Sequence, residues 1–181
     1  MFQISRDNPA YYLTSVAHHR LPIFRKDSIK KIVADAFDEA RTSGGIRIFA
    51  YVIMPDHTHL LTDNEREMGD VLRFMNGISA KRVIDHLKEK GFESSLSKLR
   101  IQERKNKHKH SVYEHHANAI RITGEDAFMQ KVNYIHLNPV RAGLVKHPDD
   151  YLYSSSRQWH GRFLENEPLL IDRDQIKWRA A

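Results

Sequence analysis

The 181-residue chain has no cysteine, which removes disulfides, thiolate zinc sites and cysteine nucleophiles together. Any metal it binds must be held by nitrogen and oxygen. It has no apolar run near the roughly 20 residues that a membrane-spanning helix needs. Its start, Met1-Phe2-Gln3-Ile4-Ser5-Arg6-Asp7, lacks the basic stretch and apolar segment of a secretory signal. A soluble, cytoplasmic protein with no membrane partner is expected. No linker, internal repeat or low-complexity tract divides the sequence. One domain over residues 1–181 is therefore expected, with a core over about 10–145 and a tail over about 146–181.

What is present is an ordinary globular balance, 40% hydrophobic and 29% charged residues, with a basic excess. Lys and Arg number 29 against 23 Asp and Glu, a formal charge of +6, and twelve histidines can add positive charge beside phosphates. Such a balance favours a polyanionic partner through counterion release.

Ala10 to Ala17 (AYYLTSVA) is rich in aromatic and β-branched residues and predicts a strand. Ser28 opens a helix whose apolar positions Ile29, Ile32, Val33, Ala36, Phe37 and Ala40 recur at three and four, and Gly44-Gly45 stops it. Ile46 to Met54 predicts a second strand, and Pro55-Asp56 turns the chain into a third over His57 to Thr62. Met68 to about Lys90 has helical spacing, with an interruption expected near Gly77. Gly91 to His110 is polar and predicts a loop, and Ser111 to Ile122 a fourth strand. Thr123 and Asp126 predict a capping box opening a last helix through Phe128, Val132, Ile135 and Leu137, ending near Pro139. Tyr151, Tyr153 and Trp159 predict a tail anchored by aromatic rings. The order contains the split βαβ of a ferredoxin-like fold. The expected class is α+β, an antiparallel sheet with helices on one face plus an extra helix.

Two short segments carry the chemistry. In Ile53-Met54-Pro55-Asp56-His57-Thr58-His59-Leu60-Leu61, residues i and i+2 of a strand share a face, so His57 and His59 point together and can bind one divalent ion. A pair of hydrogen-bonded structural histidines fits the same pattern, and two imidazoles alone make an incomplete site. The second segment is Tyr134-Ile135-His136-Leu137-Asn138-Pro139-Val140-Arg141-Ala142-Gly143-Leu144-Val145. At about 100° per residue, Tyr134 and Asn138 lie within roughly 40° of each other on a helix, whereas His136 lies about 200° from the tyrosine. Tyr134 offers either a phenol nucleophile or a ring packed on the sheet. Asn138 offers either an amide ligand or a helix-end residue before proline.

With MPDHTHLL after an apolar strand and YIHLNPVRAGLV opening on a helix tyrosine, the chain resembles the REP-associated tyrosine transposases. These belong to the HUH single-strand endonuclease group and are related to the transposases of small bacterial insertion sequences. The resemblance runs from about Tyr11 to Trp159. It implies that His57 and His59 bind a divalent metal, Mg2+ or Mn2+, that Asn138 completes the metal site, and that Tyr134 is the single nucleophile. The implied reaction is metal-dependent cleavage and rejoining of single-stranded or hairpin DNA through a 5′-phosphotyrosine, by a monomer or homodimer. The chain departs from its relatives at Val112-Tyr113-Glu114-His115-His116, where many carry a tryptophan and a glutamine.

Arg100, Arg104, Lys105, Lys107 and Lys109, interleaved with His108 and His110, are candidate phosphate contacts, as is Arg141. Lys30-Lys31, Lys81-Arg82, Arg20 and Arg25 are further candidates, and a solvated basic face is the plainer account of any such run. The alternative function is a domesticated protein of the same fold that binds DNA without cleaving it. A two-histidine phosphoesterase ranks last, since the chain lacks the pair of separated His-x-Ser/Thr motifs which that chemistry uses.

Overall fold

The aromatic and β-branched run Ala10–Val16 forms β1, and it lies inside a four-stranded sheet instead of at its edge. In the computed structural model, which describes residues 1–101, 109–115 and 117–179, β2 (Ile48–Ile53), β3 (His57–Thr62) and β4 (Asn118–Ile122) complete the sheet in the order β2-β3-β1-β4. Every pairing is antiparallel.

Between β1 and β2 runs α1 (Asp27–Gly44), which buries Ile29, Val33, Ala36, Phe37 and Ala40 and ends where Gly45 adopts φ 64°. α2 (Met68–Glu89) follows β3 and packs on α1. It passes through Gly77 without a break: a helix glycine costs only about 1 kcal/mol, and the buried stripe of Val71, Met75, Val83 and Leu87 outweighs it. All six residues of β2 are buried, which requires cover on both faces. α4 (Glu125–Arg141) covers the face that carries His57 and His59, while Leu13 and Leu60 are buried on the opposite face, which by strand alternation is the side of α1 and α2.

Four local expectations are corrected. The segment expected as a loop after Gly91 contains α3 (Glu93–Lys98), anchored by buried Leu96 and Leu99. The fourth strand is shorter than Ser111 to Ile122, because Tyr113 turns into the core and sets its hydroxyl 2.9 Å from Ser79 Oγ. Gly124, not Thr123, is the N-cap of α4, with no side-chain cap bond. Glu125 and Asp126 instead complement the helix dipole from its first turn. Finally, α4 does not end at Pro139 but continues to Arg141. The proline removes one N–H near the end, and buried Ile135, His136 and Pro139 hold that turn against the core.

The tail is anchored as expected, and it lies along the open side of β2. Ile53 N–H donates to Tyr153 O at 2.9 Å, Ser155 N–H to Tyr51 O at 3.1 Å and Asp172 N–H to Ile48 O at 2.7 Å. The short α5 (Ser156–Trp159) follows, with Trp159 Nε1 donating to Phe49 O at 2.9 Å. Among the described residues no helix is long and apolar enough to cross a membrane.

Candidate active site

The register of β1 sets Thr14 opposite His59 and Val16 opposite His57 on one side, and Thr14 opposite Asn118 and Tyr12 opposite Ile120 on the other. Opposed residues in antiparallel strands share a face, so these side chains make one continuous floor. α4 lies over it and contributes Lys131, Tyr134 and Asn138, spaced three and four along one stripe. Floor and helix enclose a cleft of about 500 Å3, whose wall is completed by Arg20. His57, His59, Tyr134 and Asn138 thus meet around a single cleft.

Both imidazoles have one nitrogen engaged. His57 Nδ1 lies 2.6 Å from Asp56 Oδ1, and His59 Nδ1 lies 2.9 Å from the hydroxyls of both Tyr12 and Thr14. With each Nδ1–H donating to these oxygens, Nε2 of both rings keeps its lone pair, the arrangement by which neighbours orient metal-binding histidines. The two ring centres are 4.9 Å apart. Burial, reinforced by His57 and Lys131, pulls His59 down to about 3, so the ring is neutral near pH 7 and free to ligate. Burial also pushes the Tyr12 hydroxyl up to about 12.

Asn138 donates its Nδ2–H to Tyr134 O at 2.8 Å, one turn back, which leaves Oδ1 uncommitted. Two imidazole lone pairs and an amide oxygen on one open cleft fit a divalent cation that keeps positions for water or phosphate oxygens.

Of the seven tyrosines, Tyr134 alone is exposed, at 39%; the others are 8% exposed or less. It is therefore the phenol available to a substrate. Its ring stands edge-on to His59 at 5.5 Å and to Tyr12 at 6.3 Å. Lys131 Nζ lies 5.7 Å from its ring centre and 4.6 Å from that of Tyr12, and Arg141 Cζ lies 5.1 Å from the Tyr134 ring. His136, by contrast, is buried away from the cleft, with Nε2 3.0 Å from Ser155 Oγ.

The basic candidates divide. Arg141 and Arg20 are exposed at the cleft. Arg100 and Lys109 are exposed beside the α3 turn, where Arg100 bridges to His110. Arg104, Lys105, Lys107, His108 and His116 lie outside the described residues. Lys30 is buried against Asp27 at 2.8 Å, Lys31 pairs with Asp35, Lys81 with Asp85 and Arg82 with Glu39, so these charges are already engaged.

Sequence reasoning passed over Tyr12, Thr14, Asp56 and Lys131. Lys131 was within reach, three residues before Tyr134 on the same stripe. Tyr12 and Thr14 needed the strand register.

No curated protein matches the sequence. Among solved structures, a putative transposase from Deinococcus radiodurans R1 is 20% identical with a TM-score of 0.48, covering 71% of this chain and 88% of its own. A REP-associated tyrosine transposase bound to a REP hairpin is 14% identical with a TM-score of 0.62, covering 94% of this chain and 89% of its own, and it shares the fold. The model of the family described as "Transposase IS200 like" matches residues 5–136, a span that takes in both histidines of β3 and the exposed tyrosine of α4. The chain belongs to the IS200-like transposase family.

Proposed function

We propose that this family member is a metal-dependent single-strand DNA endonuclease and strand-transferase of the REP-associated branch, working as one domain over residues 1–181 through a covalent 5′-phosphotyrosine on Tyr134. The observation that carries the reading is the meeting, at one cleft, of the sole exposed phenol with two imidazoles whose Nε2 atoms are free and an uncommitted amide oxygen. His57, His59 and Asn138 would hold Mg2+ or Mn2+, which when bound neutralises charge on the non-bridging oxygens of the scissile phosphate.

The remaining chemistry belongs to the chain's own side chains. Asp56, Thr14 and Tyr12 fix the imidazole orientations. Tyr134 Oη attacks phosphorus in line, the bond to the 3′-oxygen breaks, and that oxygen leaves with the electron pair and takes up a proton while the phenol proton passes to solvent. A phenol is almost wholly protonated in neutral water. The cations of Lys131 and Arg141 beside the ring stabilise the negative charge that develops on its oxygen. The product retains the ester bond, so rejoining needs no nucleotide cofactor. Arg20, Lys131 and Arg141 meet backbone phosphates at the cleft, and Arg100 and Lys109, exposed beside α3, are further phosphate contacts. The hairpin held by the structural relative supports hairpin-bearing DNA as the substrate class.

Incubation with hairpin-bearing single-stranded DNA and Mn2+, followed by denaturing electrophoresis, tests the reading. A covalent adduct is expected from the native chain and none from Tyr134→Phe or after chelation. Metal-independent binding with no adduct on any substrate would instead establish the non-cleaving DNA-binding protein.

A further inference from the structure

A second set of metal-ligating side chains lies outside the cleft, at the turn that follows β1. The backbone of His19 and Arg20 takes φ of 53° and 51° there, the left-handed region that costs non-glycine residues about 1–2 kcal/mol each. The turn brings the rings of His18 and His19 to a centroid separation of 3.9 Å. Glu114 faces them from a segment 95 residues away in sequence, its Oε1 accepting from His19 N–H at 2.6 Å and lying 4.0 Å from His18 Nδ1. The ligand atoms of the three side chains all lie within 4.8 Å of one another. Main-chain bonds hold the two segments in place: His18 N–H donates to Val112 O and Glu114 N–H to Val16 O, each at 2.9 Å.

His18 supplies the decisive observation. The residue is 9% exposed, and its Nδ1 is wholly buried without a hydrogen-bond partner. An orphaned buried polar atom costs about 1–3 kcal/mol and calls for an explanation. A cation seated between His18, His19 and Glu114 provides one, because it takes up the lone pair and answers the carboxylate charge. His19 and Glu114 are exposed, which gives an ion a path in and leaves coordination positions for water.

The geometry points to a second metal site, formed by His18, His19 and Glu114, that binds Zn2+ and staples the turn after β1 to the segment around Glu114. Two imidazoles and one carboxylate with no thiolate are a zinc donor set when water fills the remaining position, whereas Mg2+ and Ca2+ favour oxygen shells. The staple is structural and is separate from the phosphoryl chemistry proposed above. It reaches the cleft through one side chain, since Arg20 lies 3.4 Å from Asp56, which in turn holds His57.

Native mass spectrometry and Zn2+ titration calorimetry of the full chain test the site, in a His57→Ala/His59→Ala background that empties the cleft of imidazoles. One Zn2+ per chain is expected there, with a rise in Tm on loading. His19→Ala or Glu114→Gln should each weaken binding roughly tenfold or more and abolish the Tm rise. Both substitutions fall on exposed side chains, and Glu114→Gln keeps an acceptor for His19 N–H, so folding is preserved. Absence of bound Zn2+ in the background variant overturns the site. Weak binding spread over the other histidines, unchanged by both substitutions, overturns it equally.

Discussion

Thr14 Oγ1 and His59 Nδ1 lie 2.9 Å apart across the β1–β3 pair, where the register sets the two residues directly opposite each other. Thr14→Val keeps the β-branched shape and removes the contact, leaving the Tyr12 hydroxyl to orient the ring alone. Mn2+ affinity should fall about 10- to 100-fold, and further in Thr14→Val/Tyr12→Phe. The Mn2+ dependence of adduct formation measures this, and an unaltered dependence would remove both hydroxyls from the site.

Lys131 stands between two phenol rings, so its charge is placed to act on Tyr134 as well as on DNA. Lys131→Met should lower the single-turnover rate of adduct formation roughly tenfold or more, with a smaller loss of DNA affinity at fixed salt, and Lys131→Arg should recover most of the rate. Equal losses in rate and affinity would reduce the residue to a phosphate contact.

Phe128 is fully buried and holds α4 down through Phe49, Trp159 and Trp178, with ring centres at 5.8, 6.4 and 5.9 Å. Phe128→Ala should cost about 3–5 kcal/mol of stability, read from the urea midpoint at an unchanged slope.

Burial holds His136 down at about 3, against about 6.5 for an exposed imidazole. The native state keeps the ring neutral while the unfolded chain gains a proton below about 6.5. Its contribution to stability is therefore complete above that pH and is lost as pH falls from there towards 3, by about 1.4 kcal/mol per pH unit. Between pH 7 and 5 the native chain should lose roughly 2 kcal/mol from this ring. His59 adds a parallel loss, so the smaller decline expected of His136→Gln isolates the His136 share in denaturation curves at the two pH values.

The two periodicities made much of this legible in advance. Alternation placed His57 and His59 on one face of β3, and helical spacing put Tyr134 and Asn138 on one stripe of α4 and left His136 off it. Neither periodicity could bring helix and strand together, because that contact depends on the packing of Phe128, Val132 and Ile135. Tyr12 and Thr14 stayed hidden for a related reason: a one-residue slip in strand register would have sent both to the other face. Pro139 misled because its local cost is one N–H, and burial of its own ring and its neighbours outweighs that near a helix end. The meeting of His18 and His19 with Glu114 joins segments 95 residues apart, and no local pattern encodes it.

The main-chain hydrogen bonds that pair Tyr153, Ser155 and Asp172 with β2 have a consequence beyond anchoring the tail. Ile48-Phe49-Ala50-Tyr51-Val52-Ile53 is an uncharged, strongly β-forming hexapeptide, and an edge strand of that composition, once bared, becomes a template on which other chains pair. The last forty residues thus serve as a guard rail against self-association. A protein shortened after α4 would bare that edge to other chains, and it would also lose the Trp159 and Trp178 rings that hold Phe128 and α4 in place.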